Sequence, residues 1–383
     1  MKRKFIIRNI PKALLLSLLC LGSCGEMPED IVELGKDGYI SFSCGTPTKS
    51  NLVEVMDGLD FDVIAYKYSK TSDWNVFRST GKPENGMDNS FMFPTLVKYN
   101  AGMWQYDRTR SNGFGSSNPV AWASDSKYAF FAVYPKVDDG VITMMTDANT
   151  ANAPWATYTA PSPGGDGFTD ISSMCDVMHA SVKDITSSVQ SGTVRFQFDH
   201  VMSCLTVEAR NFDDKSEGGQ DETIKNLKVY FTTPTYDGMD FSLEQPDPLV
   251  SIYPSIDTDS FGKSTRQFVI QGAAETKTVP AKDGKTVLPV IINEDKNIFI
   301  VPQEFDRMDR FEGYISFIDK SGKLRTGLES DPNYDSSLCF SSEKSFEPGK
   351  RYSLMINFTN GVISIAIIQN DEWIDVNQEI IFQ

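Results

Sequence analysis

Histidine is the scarcest residue type that carries enzymatic chemistry in this chain of 383 residues. Only His179 and His200 occur, and neither has a cysteine or acidic partner at the spacing of a metal site. We interpret His200, which stands between apolar residues, as a hydrogen-bonded structural histidine. The sequence also lacks a Gly-x-Ser-x-Gly elbow, a His-Glu-x-x-His helix and a phosphate-binding loop. These absences predict a protein with no catalytic residues, no metal ion and no cofactor.

Closely spaced cysteine pairs are missing as well, which argues against a zinc site. Four cysteines lie beyond residue 24, at Cys44, Cys175, Cys204 and Cys339. An oxidising envelope would allow one or two disulfides. We favour the interpretation that Cys44, Cys175 and Cys204 are small buried hydrophobic side chains.

No hydrophobic run reaches the ~20 residues that a transmembrane helix needs. The longest run, residues 13–21, follows a basic segment and ends at Leu21-Gly22-Ser23-Cys24. A basic flank, a short apolar core and small residues before the cut are typical of a secretory signal peptide. The last four residues resemble a bacterial lipobox, so we predict that residues 1–23 are removed and that Cys24 is lipidated. The alternative is an ordinary signal peptide with a chance cysteine.

Basic residues are outnumbered in the chain that remains after residue 23. It contains 31 Lys and Arg against 52 Asp and Glu, a net charge near −21. Such an acidic exterior disfavours nucleic acid as a partner. Acidic residues alone leave one enzyme class open, because a glycosidase needs only two carboxylates and the sequence does not pair them.

Segments with helical periodicity are also rare, and short strand-like runs separated by turn residues take their place. Examples are 61–69 and 128–135 in the first half, and 192–210, 223–233 and 349–373 in the second half. Asn360-Gly361 predicts a tight hairpin turn. We interpret 181–190 as a polar loop between domains and 148–167 as a loop rich in Gly, Ser and Pro. The prediction is an all-β protein of two antiparallel sandwich domains, 24–188 and 189–383.

Several segments, in this order and spacing, resemble the fimbrillin family. A Trp-x-Tyr strand, a second tryptophan and a Phe-Phe-Ala-x-Tyr-Pro strand come first; an Asp-x-Met-x-Ala segment, a Phe-x-His strand pair and a closing hairpin with a late tryptophan follow. They lie at 99–110, 118–135, 175–180, 192–209 and 349–373. The resemblance implies two transthyretin-like, Greek-key β-sandwich domains in tandem. It further implies a surface lipoprotein of the outer membrane that takes part in fimbriae.

In that family a trypsin-like protease removes the first strand, and the emptied groove accepts a strand from a neighbouring subunit. Such exchange works because unpaired edge groups and emptied side-chain pockets supply affinity and register. Here the first strand is followed by Lys49 where members often have an arginine, and the next arginine is Arg78. Lys49 is the candidate cleavage site for a lysine-tolerant protease; otherwise the subunit stays uncut as an anchor or terminator. The candidate donor is the C-terminal stretch with Ile380, Ile381 and Phe382, or else that stretch completes its own sheet.

The functional interpretation is a non-enzymatic, surface-exposed fimbrial subunit, or an accessory, anchor or tip adhesin. Its partners would be other fimbrial subunits, the outer membrane through the lipid, and a host protein or glycan. The alternative is a surface glycan-binding lipoprotein that uses exposed tryptophans. A first strand lying in a groove would favour the fimbrial interpretation. Exposed, coplanar tryptophans would favour glycan binding, and two acidic residues facing each other across a cleft would favour a glycosidase.

Overall fold

β-strands are the main secondary structure of the described residues. The computed structural model describes residues 40–45, 60–80, 90–100, 103–106, 121–137, 140–145, 154–188, 192–246, 249, 251, 253–293, 297–305 and 310–370. One α-helix, α1 (Trp74–Thr80), and three short 3₁₀ turns interrupt the strands of these segments. None of the helices described is long and apolar enough to span a membrane. The all-β prediction is confirmed.

The strands follow one another along the chain, and the connections between them vary from one residue to about twenty. In chain order they are β1 (Ser41–Gly45), β2 (Phe61–Ser69), β3 (Ser90–Asn100), β4 (Met103–Tyr106), β5 (Ser126–Tyr134), β6 (Ile142–Met145), β7 (Trp155–Thr159), β8 (Met178–Ile185), β9 (Thr193–Gln197), β10 (Asp199–His200), β11 (Ser203–Asn211), β12 (Glu222–Tyr236), β13 (Gly238–Ser242), β14 (Ile256–Asp257), β15 (Lys263–Val269), β16 (Thr276–Val279), β17 (Val290–Ile291), β18 (Ile298–Ile300), β19 (Phe311–Ile318), β20 (Leu324–Thr326), β21 (Cys339–Ser342), β22 (Arg351–Thr359) and β23 (Val362–Gln369). They form four sheets.

The largest sheet has eight strands in the order β10-β8-β5-β2-β3-β4-β1-β9. Its two edge strands, β9 and β10, are separated in the chain by Phe198 alone. A sheet whose opposite edges are joined by one residue must curl back on itself, and the curl encloses a hydrophobic cluster. We call this cluster the groove core; among its buried members are Phe42, Phe61, Phe130 and Phe196.

The other face of the same sheet contacts a second, larger core. Along β2, Val63 belongs to the groove core and Ile64 to the larger core, and Phe130 and Phe131 on β5 divide in the same way. Successive side chains of a strand point to opposite faces, so a sheet covered on both faces carries a nearly continuous apolar run. This explains the lack of polar alternation in 61–69 and 128–135.

A four-stranded sheet, β14-β13-β7-β6, covers the outer face of the eight-stranded sheet together with α1. The Trp74 ring of α1 lies 5.0 Å from Phe131 and 5.3 Å from Tyr66, measured between ring centroids. The larger core therefore continues from β2 and β5 through α1 into β7 and β13.

The remaining strands form a five-stranded and a six-stranded sheet. The first has the order β17-β11-β22-β23, with β18 also paired to β11; the second has the order β15-β12-β19-β20, with β16 paired to β12 and β21 to β19. Buried residues of β11, β12, β19 and β22 meet in the larger core. Phe317 and Phe358 contact edge to face between the two sheets, at 6.4 Å.

Three strand pairings cross the predicted division of the chain at 188/189. β9 and β10, beyond the division, pair with β1 and β8, and β7, before it, pairs with β13. Two of the described pairings are parallel, β1 with β9 across the division and β11 with β22 beyond it. The bounds 24–188 and 189–383 stay a prediction.

Two loop predictions were wrong. Residues 181–185 belong to β8, which pairs with β5 and is buried along its first half. Residues 155–159 form β7, which pairs on both sides with β6 and β13. Residues 181–185 are polar and pair with a strand about fifty residues earlier, whereas 155–159 lie in a segment rich in Gly, Ser and Pro and pair with both the nearby β6 and the distant β13. In both cases strand pairing overrides the local composition.

The predicted closing hairpin is confirmed. β22 and β23 pair without a register shift, and the turn residues Asn360 and Gly361 have φ of 51° and 73°. Positive φ at both central positions defines the tight turn that Asn-Gly favours.

Three of the four cysteines have described side chains. Cys204 and Cys339 are free thiols. Cys204 is fully buried, as its interpretation as a small hydrophobe predicts. Cys175 is half-buried, and Cys339 is exposed.

Candidate strand-acceptor groove

β1 lies between β4 and β9 in the curled sheet. It runs antiparallel to β4, with Phe42 opposite Trp104. It runs parallel to β9 over its whole length, from Ser41 opposite Thr193 to Gly45 opposite Gln197. The other described pairings of this sheet are antiparallel. β1 thus fills a slot whose two sides, β4 and β9, come from later parts of the chain.

Two side chains attach β1 to the groove core. Ile40, directly before the strand, is fully buried, and Phe42 is 4% exposed. The Phe42 ring is stacked on Phe196 at 5.7 Å and meets Phe130 edge to face at 6.0 Å. Burying an aliphatic or aromatic side chain of this size stabilises by roughly 1.5–3 kcal/mol. Ile40 and Phe42 therefore act as the two hydrophobic anchors of β1.

The floor of the groove is aromatic. Phe61 meets Phe196 and Phe198 edge to face, at 5.9 Å and 5.2 Å. Tyr128 is stacked on Phe130 at 6.0 Å. Such offset and edge-to-face contacts each contribute about 0.5–1.5 kcal/mol beyond burial. The floor is a packed surface that holds its shape around the Phe42 ring.

Hydrogen bonds hold the wall of the groove beside Tyr128. The Tyr128 hydroxyl accepts a bond from the Ala123 amide at 2.7 Å, and burial raises the pKa of this hydroxyl. The Trp122 ring packs against Tyr128 at 4.9 Å and donates its Nε1–H to the Gly192 carbonyl at 3.0 Å. Gly192 directly precedes β9, so this bond positions the strand that flanks β1.

In the part of β1 whose side chains are described, a polar contact joins it to β9. The hydroxyl groups of Ser41 and Thr193 lie 2.7 Å apart. Ser41 points away from the face that carries Ile40 and Phe42, because successive side chains alternate. β1 is thus held by backbone pairing on both edges, by two apolar anchors on one face and by this bond on the other.

Comparison with known proteins agrees with this architecture. The family model described as fimbrillin-like matches residues 70–373. The chain belongs to the fimbrillin-like family. A curated relative, fimbrium subunit Fim1C of Phocaeicola vulgatus, is 23% identical over 207 residues, which are 50% of this chain and 49% of the relative. The alignment thus spans about half the length of that relative.

Solved structures resemble this fimbrillin-like chain over most of its length. A fimbrial protein from Bacteroides vulgatus has 17% sequence identity and a TM-score of 0.52, and the match covers 88% of this chain and 99% of that one. A second structure, described as a cell adhesion protein from Bacteroides ovatus, has 12% sequence identity and a TM-score of 0.48, and the match covers 88% of this chain and 98% of that one. The first match supports the fold.

The site residues predicted from the sequence of this fimbrillin-like chain lie outside the described residues. These are Cys24, Lys49 and the C-terminal Ile380, Ile381 and Phe382. Lys49 falls between β1, which ends at Gly45, and Asp60, where description resumes. The sequence analysis identified the first strand but not its neighbours: nothing in a single sequence indicates that β9 pairs with β1 across 152 residues, as the Ser41–Thr193 contact shows.

Both histidines occupy structural positions. His179 is fully buried on β8, and its Nδ1 lies 3.3 Å from the Leu243 carbonyl. His200 on β10 places its Nδ1 2.7 Å from the buried Asp176 carboxylate. In the described part of the chain, no group of three or more His, Cys, Asp or Glu side chains is arranged to hold a metal ion.

The three tryptophans with described side chains are buried or half-buried. Trp74 is 3% exposed in the larger core, and Trp122 packs on the wall of the groove. Trp155 is half-buried on β7. None of these three is a fully exposed ring of the kind that a sugar platform needs.

Proposed function

We propose that this chain is a surface fimbrial subunit that accepts a strand of a neighbouring subunit in the groove that β1 occupies. The observation that carries the proposal is the position of β1 between β4 and β9, with Ile40 and Phe42 buried in the groove core. A strand at a chain end that fills such a slot is a natural substrate for replacement by another strand. Membership in the fimbrillin-like family supports the fimbrial role.

Removal of β1 requires a cut between β1 and β2. Lys49 is the sole basic residue from Gly45 to Asp60, so a protease specific for basic residues has one target there. A cut at Arg78 would instead remove β2, which pairs with both β3 and β5, and would break the sheet. We therefore propose Lys49 as the site at which a protease cuts the chain to release β1.

The C-terminal stretch matches β1 in the spacing of its bulky side chains. β1 has Ile40 and Phe42 on the inward face, and the chain end repeats Ile-x-Phe as Ile380 and Phe382. We propose that the donor enters in the direction of β1, with Ile380 in place of Ile40 and Phe382 in place of Phe42. Ile381 then takes the outward position of Ser41.

Anchoring and location follow from the N-terminal segment. We propose that Cys24 carries acyl chains that hold the subunit at the outer membrane, before or instead of its incorporation into a fimbrium. One acyl chain anchors only marginally, whereas two or three hold firmly. Other fimbrial subunits are the proposed partners.

The first test is the N-terminus of the protein taken from its native cell surface, determined by intact mass and terminal peptides. A mature chain that begins at Asn51 or directly after Lys49 supports removal of β1. A lipidated Cys24 on the whole population would restrict the role to an uncut anchor. An N-terminus at any other residue would refute both Cys24 as the lipidated residue and Lys49 as the cleavage site.

The second test is assembly in vitro after lysine-specific cleavage. The Phe382→Asp variant should fold as a monomer and form no polymer, because a carboxylate cannot enter an aromatic pocket without a large desolvation cost. The matched control is Ile381→Ser, which makes the donor read Ile-Ser-Phe, as β1 does, and should polymerise. Equal polymer yields from both variants would refute the proposed register.

The glycan-binding alternative has a direct test of its own. Immobilised surface and mucin-type glycans would be probed with the purified chain, since the side chains of Trp104 and Trp373 lie outside the part of the structure that is described. Glycan binding that is lost in the Trp373→Ala variant, while polymer formation persists, would assign a second function.

A further inference from the structure

The outer edge of β23 differs from the other sheet edges of this protein. β23 is an edge strand of the five-stranded sheet, eight residues long. No strand in the described part of the chain pairs with its outer edge. An unpaired edge presents a row of N–H and C=O groups that template pairing with another chain.

Proteins normally protect such edges by keeping them short, charged, or interrupted by proline or a bulge. The other described edge strands are shorter than β23, from two residues in β10, β14 and β17 to four in β6 and seven in β15, and β9, β15 and β20 each contain an arginine. β23 contains none of these devices. No charged residue and no proline occurs between Arg351 and Asp371, and β22–β23 pairing has no register shift.

Exposed apolar side chains are frequent on β23 and on the segment that begins with β20. Five of the nine large hydrophobic side chains that are exposed in the described residues lie on β23 itself or on β20 and the segment that follows it. They are Leu324, Leu328, Tyr334, Val362 and Ile368. β20 is an edge strand of the six-stranded sheet, and β21, which pairs with the same strand β19, lies close to β23. Such a concentration is typical of an interaction surface.

The sequence of β23 is complementary to itself. Antiparallel pairing of two β23 strands about Ile365 sets Ser364 opposite Ala366, which are both small. The same register sets Ile363 opposite Ile367, which both face the core. It also sets Val362, 62% exposed, opposite Ile368, 41% exposed. Opposed residues lie on one face of a sheet, so this register joins like faces from Val362 to Ile368.

We propose that the outer edge of β23 is a self-association site, where two copies of this chain pair their β23 strands antiparallel about a two-fold axis at Ile365. The contact is isologous: the same edge serves both copies. It is independent of the β1 groove, which lies in a different sheet, and so it stands or fails separately from strand exchange. It would join subunits side to side, not end to end.

The charge of the molecule provides one signature of this contact. The chain carries a net charge of −16, so two copies repel each other, whereas the paired strands contain no charge. Added salt screens the repulsion. We expect dimerisation to strengthen as salt is raised, opposite to an interface built on ion pairs.

The main experiment compares two double variants of the full chain, uncut and with Cys24→Ser to prevent acylation. Val362→Lys with Ile368→Lys sets two ammonium groups against each other at both ends of the pairing. Val362→Lys with Ile368→Glu sets opposite charges there instead. Sedimentation over a concentration series should show a dimer in the unsubstituted chain and in the Lys/Glu variant, weakened about tenfold or more in the Lys/Lys variant.

Cross-linking checks the register by a second route. In a Cys339→Ser background, Val362→Cys together with Ile368→Cys should form an intermolecular disulfide, because opposed Cβ atoms lie within reach of one. Either substitution alone should not, since each thiol then faces an apolar side chain. Both positions are exposed, so the variants should melt at the temperature of the parent chain.

Three results would overturn the proposal. The first is a monomer at every concentration and salt level. The second is equal behaviour of the Lys/Lys and Lys/Glu variants. The third is a dimer that forms only after residues 371–383 are deleted, which would mean that the end of the chain itself covers the β23 edge.

Discussion

The attachment of β1 to the groove depends mainly on one side chain, the ring of Phe42. It is stacked on Phe196 and meets Phe130 edge to face, while β1 contributes only five residues of pairing. The strength with which the groove holds its present strand therefore depends largely on how well this ring fits.

Replacing Phe42 with alanine should loosen β1 selectively. Phe→Ala in a packed core costs about 3–5 kcal/mol, and here most of that cost falls on the docking of one short strand. We expect cleavage at Lys49 by a lysine-specific protease to accelerate at least tenfold, measured by gel and mass spectrometry under native conditions.

Phe42→Leu is the matched control, because a volume-conserving apolar exchange usually costs less than about 1.5 kcal/mol. Its cleavage rate should stay within a few-fold of the parent. Unchanged rates in both variants would show that Lys49 is cut without any release of β1.

His179 is a pH-sensitive residue at the contact between β8 and the segment that follows β13. Burial lowers its pKa from the ordinary value of 6.5, and the neighbouring Asp199 partly opposes the shift. Because the folded state holds the imidazole neutral and the unfolded state protonates below pH 6.5, stability should be fully present above that pH. It should fall as the pH decreases below 6.5, by up to about 1.4 kcal/mol per pH unit.

The His179→Gln variant isolates this effect, since it keeps a hydrogen-bond donor for the Leu243 carbonyl and removes the titration. Urea unfolding at pH 7.5 and pH 5.0 should show a smaller loss for the variant than for the parent. A parallel decline of both proteins would assign the acid sensitivity to other groups.

At the scale of elements, α1 depends on its contacts. Its seven residues are too few for a stable isolated helix. Trp74 is buried in the larger core, its Nε1–H donates to the Glu244 carboxylate, and Arg78 donates to the same carboxylate at 2.8 Å. Glu244 thus joins the first strands of the chain to the segment after β13.

Glu244→Ala should destabilise the protein by about 1–3 kcal/mol, because it leaves the buried Trp74 donor without its partner. Glu244→Gln should cost about 1 kcal/mol or less, since the amide oxygen still accepts from Trp74 and the lost ion pair involves an Arg78 side chain that is 39% exposed. Thermal unfolding and hydrogen exchange of α1 measure both. Equal losses would locate the effect in the charge and not in the Trp74 bond.

At the scale of the whole molecule, removal of β1 should affect one sheet and spare the others. A chain cut at Lys49 and stripped of β1 in mild denaturant uncovers the groove core, so it should bind a hydrophobic dye and exchange amide hydrogens faster in β4, β5 and β9. Protection in β11, β12, β19 and β22 should change little, because these strands belong to the larger core. Uniform loss of protection would mean that the sheets unfold as one unit.

Much of this organisation was predictable because its signals are local. The turn at Asn360-Gly361, the strand at 61–69 and the near absence of helices follow from backbone preferences and apolar patterning that few contacts override. The failures at 155–159 and 181–185 have the opposite origin. Their composition or surroundings are those of loops, and distant strands, β5 for 181–185 and β13 for 155–159, complete their hydrogen bonding.

The sequence by itself determined the fold class, the acidic surface, the family and the Ile-x-Phe spacing at 40–42 and 380–382, since each depends on residue types and their order. Only the tertiary structure decided that β1 runs parallel to β9, that Phe196 and Phe130 receive Phe42, and that β23 is left at an edge. Those facts depend on which distant strands pair. Pairing is settled by the simultaneous burial of many side chains and not by any one segment.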